Sequence, residues 1–291
     1  MTKTQFTILI PYFDKPESLP KILTFLEAHP QWVKEIIVLC DGSKPPPSVI
    51  NRCKLIEIEE NHGLSWGRNE LLQRCCSENV LFLDADAVPI NPFFEVLNEQ
   101  WDRQSFFAGR EFSSPQEGYA NLYRSLYLVQ THGDKDLHEA PFFMGLCFGG
   151  KLENFNILGG FHEGFRNHGE DLEFSFRALA KNYRIQYLSG LRVFHERFDD
   201  SESLRNMIRN HAKFQVFAHL CHGISIINVI WQATLWIPVS AWSSLKRVRS
   251  LRFTLFCLLH SAYSLLYKLT APIHFKKESY ESIQPGHIFR S

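Results

Sequence analysis

The sequence predicts an α/β protein in which helices flank a mainly parallel sheet, followed by a C-terminal helical appendage. Short apolar runs alternate with helical patterns through the first 200 residues, as expected for strand–helix–strand units. Charge changes beyond that point: residues 1–201 hold 20 basic and 28 acidic side chains, whereas residues 202–291 hold 11 and 3. We therefore predict one domain over residues 1–200 and a helical, apolar and basic region over residues 201–291.

Apolar runs and helical spacing define the elements of the first hundred residues. A short apolar run predicts a buried strand, and apolar residues three and four apart predict a helix. The predicted strands are residues 6–11, 35–40, 54–58 and 80–83. The predicted helices are residues 15–29, 64–76 and 92–101.

The same patterns predict further elements along the rest of the chain. Residues 105–109 and 144–149 are predicted strands, and a strand entered from residue 184 is predicted to end near His195. Residues 169–181 are a predicted helix, and the chain is predicted to be helical from residue 201 onward.

Two carboxylates, Asp84 and Asp86, follow directly after the predicted strand 80–83. In open α/β sheets ligands bind beyond the carboxyl ends of the strands, so this pair lies where a ligand would arrive. Carboxylate oxygens suit Mg²⁺ or Mn²⁺, which usually take one or two carboxylates together with substrate phosphates. The alternative is a helix N-terminus, with Asp86 as its cap and Pro89 in its first turn.

Eight motifs follow one another through this part of the chain: FTILIPYFDK, EIIVLCDGS, NHGLSWGRN, VLFLDADAVPINP, GLCFGG, GGFHEGF, GEDLEFSFR and VFHE. Their order and spacing resemble those of the inverting nucleotide-sugar glycosyltransferases of family 2, which have the Rossmann-like GT-A fold. The resemblance covers residues 5–197. It implies a nucleotide-sugar half near residues 1–100 and an acceptor half near residues 101–200.

The resemblance implies a donor pocket at the ends of the first strands. By this likeness Asp41 contacts the nucleobase, and the backbone of Pro11 and Tyr12 helps to form the same pocket. Arg68 binds a phosphate or orders the base pocket, because guanidinium groups form bidentate pairs with such oxygens. The residues alone leave two alternatives open, with Asp41 as a turn residue before Gly42 and Arg68 as a solvated helix residue.

The resemblance also implies a metal site. It places Asp84 near the ribose and the metal, and it makes Asp86 a direct ligand of Mn²⁺ or Mg²⁺. Some GT-A enzymes use a histidine at the position of His195, where a neutral imidazole completes a site with two carboxylates. The alternative is a structural histidine, since the chain has 13 histidines. Ala87 stands where members of the family often carry a third acid.

The acceptor side centres on Asp171. The resemblance implies that Asp171 is the general base, which takes the proton of the acceptor hydroxyl, and that Glu170 is the second choice or holds an acceptor hydroxyl. Acids at a helix start also stabilise the helix dipole, which is the alternative reason for both. Gly149 and Gly150 allow close backbone approach near the donor sugar. Phe161 either stacks on a sugar face or packs in the core.

The composition of the C-terminal region predicts that it associates with a membrane surface. Residues 214–245 and 253–267 carry no charged side chain. Apolar helices beside basic clusters are attracted to anionic lipids, so we predict helices that lie on an anionic membrane surface. Two alternatives remain open: a membrane span, for which the first uncharged run is long enough, and a helical pair packed on the catalytic domain. The basic residues between the two uncharged runs are Lys246, Arg247, Arg249 and Arg252.

Together these features predict a metal-dependent inverting transfer from a nucleoside-diphosphate sugar, by resemblance a UDP sugar, to a glycan or lipid-linked acceptor. We expect a role in cell-envelope polysaccharide biosynthesis and no nucleic-acid partner. Seven cysteines without metal-binding spacing predict reduced thiols, and the N-terminal apolar run is too short for a signal peptide. The predicted location is cytoplasmic, peripheral on the inner face of the membrane.

Two other functions are weighed against this one. A sugar-phosphate nucleotidyltransferase also combines an α/β sheet with metal-binding carboxylates, but it opens with a glycine-rich loop, whereas this chain has PYFDKPES after its first strand. A non-catalytic nucleotide-sugar-binding protein or membrane scaffold would use the fold without the chemistry. The presence of Asp84, Asp86 and Asp171 argues against that function.

Overall fold

The computed structural model describes residues 3–14, 17–44, 46–48, 52–113 and 117–274, and these form two compact units. The first unit holds the described residues up to 113 together with 130–197, and the second holds 117–129 together with 198–274. The boundary predicted at residue 200 stays a prediction. Residues 275–291 of the predicted C-terminal region, and residues 15 and 16 of the predicted helix 15–29, lie outside the described residues.

The described part of the first unit contains an eight-stranded sheet. Its strands are β1 (Phe6–Tyr12), β2 (Val33–Asp41), β3 (Cys53–Ile58), β4 (Asn79–Leu83), β5 (Ala87–Ile90), β6 (Phe106–Phe112), β7 (Cys147–Lys151) and β8 (Ile185–His195). Its helices are α1 (Leu19–Glu27), α2 (Leu64–Gln73), α3 (Phe93–Gln100), α5 (Leu152–Leu158) and α6 (Glu170–Ala180), and α4 belongs to the second unit.

The strand order is β3-β2-β1-β4-β7-β6-β8-β5. β1 is parallel to β2 and β4, β2 is parallel to β3, and β6 is parallel to β8. β7 is antiparallel to β4 and β6, and β5 is antiparallel to β8. Parallel pairs are thus the more numerous in a mixed sheet, which confirms the predicted fold class.

β1 and β4 are apolar and buried along most of their length because helices cover both faces of the sheet. Ile8 and Ile10 of β1 face a core that includes α1 and α3, whereas Leu9 faces a second core that includes α2, α5 and α6. Both cores are rich in aromatic rings. The two-sided burial explains why short apolar runs were a good guide to the strands.

The segment after Asp86 is a strand rather than a helix start. Residues 87–90 form β5, and Pro89 pairs with Val193 of β8 at the outer edge of the sheet. Proline is tolerated there because an edge strand leaves one side of its backbone unpaired. The alternative in which Asp86 caps a helix opened by Pro89 is therefore wrong, since the next helix, α3, begins at Phe93.

The described part of the second unit is helical. It consists of α4 (Tyr119–Tyr127), α7 (Ser201–Cys221), α8 (Ile226–Val248) and α9 (Leu251–His274). The carboxylate of Asp200 caps α7 by accepting from the backbone N–H groups of Glu202 and Ser203. The buried residues that join α4, α7 and α9 are Ala120, Tyr123, Leu204, Met207, Ile208, Phe253 and Cys257.

Within residues 117–274, as in the rest of the described chain, no helix has a stretch that is long and apolar enough to cross a membrane. All seven cysteines lie in the described ranges and none forms a disulfide.

Candidate active site

The carboxyl ends of three neighbouring parallel strands carry predicted site residues. β1 ends at Tyr12, β2 ends at Asp41, and Asp84 follows the last residue of β4. Because β1 pairs in parallel with both β2 and β4, these positions lie along one edge of the sheet. The short connection from β4 to β5 adds Asp86 at the same edge.

Helix α2 carries Arg68 into this edge, where its guanidinium joins two carboxylates. Arg68 is fully buried; its Nη1 donates to Glu170 Oε1 at 2.6 Å, and its Nη2 donates to Asp84 Oδ1 at 3.1 Å. Nη2 also donates to the carbonyl of Gly145 at 2.8 Å. Since the buried side chain presents no surface to a phosphate, Arg68 orders the acids instead, and it is not a solvated helix residue.

Asp171 lies in the first turn of α6, beside this cluster. Its Oδ2 accepts from the backbone N–H of Gly145 at 2.9 Å, and its Oδ1 accepts from the N–H of Leu172 at 2.8 Å. Burial and the neighbouring Glu170 carboxylate raise the pKa of Asp171 to about 6. Gly145 therefore connects Asp171, through its N–H, to Arg68, through its carbonyl.

Glu170 is buried and faces Arg68 with one oxygen only. Its Oε1 accepts from Arg68, while its Oε2 has no hydrogen-bond partner among the described residues. Burial raises the pKa of Glu170, although the Arg68 guanidinium opposes this effect. The structure thus places Glu170 as a partner of Arg68, with little surface for an acceptor hydroxyl.

His195 ends β8 between two carboxylates. Its Nε2 lies 3.3 Å from Asp86 Oδ2, and its Nδ1 lies 3.0 Å from Glu111 Oε1. The other oxygen of Glu111 accepts from the backbone N–H of Gln130 at 2.7 Å. Burial lowers the pKa of His195, but the hydrogen bonds to Asp86 and Glu111 raise it more, so its pKa lies above the usual value.

The predicted metal ligands meet only in part. Within the described ranges no three His, Cys, Asp or Glu side chains group as a metal site. Asp86 and His195 come together, but Asp84 turns one oxygen to Arg68, so the predicted three-ligand set is not assembled.

The remaining pair fits a divalent cation. Ligands at 2.0–2.1 Å from an octahedral ion lie about 3 Å apart, close to the observed distance from Asp86 Oδ2 to His195 Nε2 of 3.3 Å. Histidines that bind metals usually donate their other ring N–H to a carboxylate, and Glu111 provides one. Such ions take further ligands from water and substrate phosphates, so two protein ligands are sufficient.

Asp41 fastens the loop that precedes α2. Its carboxylate accepts from the backbone N–H of His62 at 3.0 Å and of Gly63 at 2.8 Å, and it lies 3.4 Å from His62 Nδ1. Tyr12 is buried at the end of β1, and Pro11 is partly buried. Asp41 is thus more than a turn residue, while its contact with a nucleobase stays a prediction.

Gly149 and Gly150 serve packing of the sheet. A Cβ on Gly149 would lie 2.2 Å from the Val80 carbonyl oxygen and 2.4 Å from Phe107 Cζ. A Cβ on Gly150 would lie 2.9 Å from Phe106 Cδ1. Both glycines are buried in β7, and the close approach that they allow is to β4 and to two core rings, while their approach to a donor sugar stays a prediction.

Phe161 belongs to the core, which is the alternative left open by the sequence. Its ring is fully buried and stacks on Phe174 at 4.9 Å. Its backbone N–H donates to Asn69 Oδ1 at 2.7 Å, and its carbonyl accepts from Asn69 Nδ2 at 2.9 Å. The prediction that the ring stacks on a sugar is therefore wrong, and α2 holds this loop through Asn69.

Two residues of the site were missed. Gly145 precedes β7 and has no chemical side chain, so only its contacts with Arg68 and Asp171 show its role. Glu111 lies near the end of β6, FFAGREF, where Arg110 and Glu111 follow an apolar run. An acid just after an apolar run is the same signal that singled out Asp84, and it could have indicated Glu111.

The mixed sheet is flanked by helices and followed by the helices α7–α9, as expected for the predicted GT-A-like fold. The family model for glycosyl transferase family 2 matches residues 7–158, which is more than half of the chain. The chain therefore belongs to glycosyl transferase family 2, and the protein is a glycosyltransferase. A search of curated proteins finds no match.

Solved structures show the same fold at low sequence identity. The mannosyltransferase PcManGT from Pyrobaculum calidifontis, in complex with GDP-Man and Mn²⁺, is 14% identical with a TM-score of 0.60, and the match covers 94% of this chain and 88% of that one. GalNAc-T7 with UDP, GalNAc and Mn²⁺ is 16% identical with a TM-score of 0.55, over 76% of this chain and 50% of that one. TarS residues 1–349 from S. aureus is 16% identical with a TM-score of 0.52, over 96% and 91%.

Proposed function

We propose that this glycosyltransferase moves a sugar from a nucleoside-diphosphate sugar to a hydroxyl of a glycan or lipid-linked acceptor, with inversion at the anomeric carbon. The observation that carries the proposal is the acid cluster, in which Arg68 joins Asp84 to Glu170 and Gly145 joins Arg68 to Asp171. Acids far apart in the sequence thus meet at the edge where α/β sheets bind ligands.

Asp171 is the general base of the proposed reaction. With a pKa of about 6 its carboxyl is mostly ionised at neutral pH. Each of its oxygens accepts one backbone N–H, which fixes the carboxylate and leaves lone pairs for a substrate proton. The acceptor O–H proton passes to Asp171 while the acceptor oxygen bonds to the anomeric carbon. The bond to the diphosphate breaks on the opposite face, and the diphosphate leaves with the electron pair.

Asp86 and His195 would hold Mn²⁺ or Mg²⁺. When bound, such an ion supplies Lewis-acid neutralisation of the diphosphate. Glu111 orients the buried imidazole of His195 through its Nδ1, so that Nε2 faces Asp86. Two of the similar structures contain Mn²⁺, one with GDP-Man and one with UDP, which supports a divalent ion and leaves the base of the donor open. A UDP sugar is the choice favoured by the sequence resemblance.

A donor-panel screen tests the proposal. Purified protein is mixed with each nucleoside-diphosphate sugar and Mn²⁺, and released nucleoside diphosphate is measured with and without EDTA. We expect metal-dependent release with at least one donor, and release about 10²- to 10⁴-fold slower from an Asp171→Asn variant. Absence of release and of hydrolysis with every donor would favour a binding protein, while pyrophosphate release from a nucleoside triphosphate and a sugar phosphate would show a nucleotidyltransferase.

We also propose that the second unit binds the anionic surface of the membrane from the cytoplasmic side. In this position the enzyme would act in cell-envelope polysaccharide biosynthesis. α8 and α9 each expose large apolar side chains. Lys246 and Arg247 lie in the last turn of α8, Arg249 caps it, and Arg252 lies in the first turn of α9. Amphipathic helices with aromatic and basic residues bind at the lipid interface. The exposed large apolar residues are Ile227, Trp231, Leu235, Trp236, Val239, Trp242 and Leu245 on α8, and Leu251, Leu255, Leu259, Leu266 and Leu269 on α9.

Vesicle flotation tests this surface. Trp231 is 62% exposed and Trp242 is 71% exposed, so replacing both by serine should abolish flotation with phosphatidylglycerol vesicles. Ile157→Ser, at a 53% exposed position on α5, is the matched control and should float normally. Normal flotation of the double variant contradicts the proposal, as does a change in oligomeric state without a change in flotation.

A further inference from the structure

The second unit contains a cavity of about 290 Å³ among α4, α7, α8 and α9. This volume is at the lower end of the range for small-molecule sites. None of the acids of the proposed transfer reaction lines this cavity. Its lining combines one group of polar donors with one group of aromatic rings, and each group limits what the cavity can accept.

The polar lining is built to receive an anion. The polar side chains that line the cavity are Lys268, His211, Gln215, Gln232 and Ser264, which supply an ammonium group, an imidazole, two amides and a hydroxyl. No carboxylate lines it, and residues 203–274 contain no acidic residue. In the described ranges Lys268 has no acidic partner, and burial lowers the pKa of its ammonium group. A half-buried cation without a counter-charge is costly, so a bound anion would stabilise it.

The rest of the lining is apolar. Tyr123, Tyr127 and Trp236 provide ring surface on α4 and α8. Tyr127 already donates its hydroxyl to the carbonyl of Ser240 at 3.2 Å, so its contribution to the cavity is mainly its ring. A small inorganic anion would satisfy Lys268 but leave these rings without a partner. An anion joined to an apolar chain would satisfy both groups.

We infer that this cavity binds the phosphate head of an anionic lipid, with Lys268 facing the phosphate and the aromatic residues facing the first part of the chain. The inference rests on the proposed membrane association, because the membrane would supply the lipid. It adds a specific site to what is otherwise a general attraction between basic residues and an anionic surface.

Calorimetry with a water-soluble short-chain lipid tests the site apart from membrane binding and from sugar transfer. The probes are dihexanoyl phosphatidic acid below its micellar concentration, inorganic phosphate, and dihexanoyl phosphatidylcholine. We expect the phosphatidic acid to bind at one site and at least tenfold more tightly than either of the others. Lys268→Gln should weaken it by about tenfold or more, since a charge-assisted hydrogen bond is lost.

Lys246→Gln, which removes the same charge from the exposed end of α8, is the matched control and should bind as the wild type does. Lys268→Gln should fold, because it removes a half-buried charge that lacks an acidic partner, and thermal melting verifies this. Lys268→Arg should retain binding. Equal binding by Lys268→Gln and wild type, or no binding of phosphatidic acid, overturns the inference. Equally tight binding of inorganic phosphate overturns the lipid part and indicates a free-phosphate site.

Discussion

At the scale of single residues, Asp171 has the most specific expected role. Asp171→Asn keeps the size of the side chain but cannot take a proton, so kcat should fall about 10²- to 10⁴-fold. The Asn amide keeps one of the two backbone hydrogen bonds, because its NH2 group cannot accept an N–H. Donor binding should survive, because neither Gly145 nor Leu172, the two partners of Asp171, belongs to the predicted donor pocket. Steady-state kinetics and a donor titration measure both quantities. Glu153→Gln, at an exposed position on α5, is the control; near-normal turnover of Asp171→Asn would exclude the assignment.

The raised pKa of Asp171 predicts how activity depends on pH. Burial and Glu170 raise this pKa to about 6, and the base acts only when ionised. The rate should therefore climb by about tenfold per pH unit below 6 and level off above it. A rate profile between pH 5 and 8 in the presence of Mn²⁺ measures this. A flat profile through pH 6 would contradict the assigned pKa.

The same shift has a consequence for stability with a defined sign. A carboxyl with a higher pKa in the folded than in the unfolded protein makes folding less favourable as pH rises through that interval. Asp171→Asn does not titrate, so its stability relative to wild type should increase between pH 4 and pH 7. Urea unfolding of both proteins at the two pH values tests the sign.

Arg68 is the residue whose loss should damage folding most. Arg68→Met would leave Glu170 and Asp84 without their cation, and removal of one partner from a buried pair costs about 3–5 kcal/mol. Arg74→Met, on the same helix, removes an exposed pair with Glu70 and should cost less than about 1 kcal/mol. Urea unfolding compares the two. Similar losses in both variants would mean that the buried pair contributes little.

Glu111 is a positioning residue that should act through His195. Glu111→Gln weakens the hydrogen bond that orients the imidazole, and loss of such outer partners typically lowers metal affinity about 10- to 100-fold. The Mn²⁺ concentration for half-maximal activity should rise, whereas kcat at saturating Mn²⁺ should change little. A merely structural role would lower kcat or the melting temperature without moving the Mn²⁺ dependence. Glu99→Gln, exposed on α3, is the control.

At the scale of elements, glycines at two positions should respond in opposite ways to the same substitution. Gly149→Ala in β7 places a Cβ 2.2 Å from the Val80 carbonyl oxygen, and overpacking of this kind costs about 1–3 kcal/mol. Gly67→Ala in α2 meets only Leu39 Cδ2 at 3.5 Å, so it should stabilise the helix by about 0.5–1 kcal/mol. Thermal melts measure the two shifts; a loss of stability in Gly67→Ala would show that α2 requires the glycine.

The sequence predicted those elements whose periodicity is local. β1, β2 and β4 are short apolar runs that are buried on both sides, and α2 and α6 lie within the ranges predicted for helices. β5 was missed because its four residues, with Pro89 among them, form a strand only through pairing with β8. The antiparallel direction of β7 was likewise not predicted, since the direction of a strand depends on partners that are distant in the sequence.

At the scale of the whole molecule, some features of the candidate site were predictable from local sequence, and others depend on contacts between distant parts of the chain. Asp84, Glu170 and Asp171 were singled out because each lies in one of the ordered motifs of the sequence. Only Asp84 lies within residues 7–158, which the family model matches. Their relation to one another was not visible, because it runs through Arg68 and the backbone of Gly145, which are 77 positions apart. The sequence therefore identified most of the acids but not the contacts that position them.

The place of α4 in the chain has a consequence for the architecture of this enzyme. Residues 119–127 leave the sheet-bearing unit after β6, contribute Ala120 and Tyr123 to the helical core, and pair Arg124 with Asp199 before the chain returns. Cutting the protein at residue 198 would strip this helix of its apolar and ionic neighbours. The helical unit is therefore not a simple C-terminal module. A truncation that keeps the sheet-bearing unit intact has to remove two separate segments, the one that contains α4 and the one that begins at residue 198.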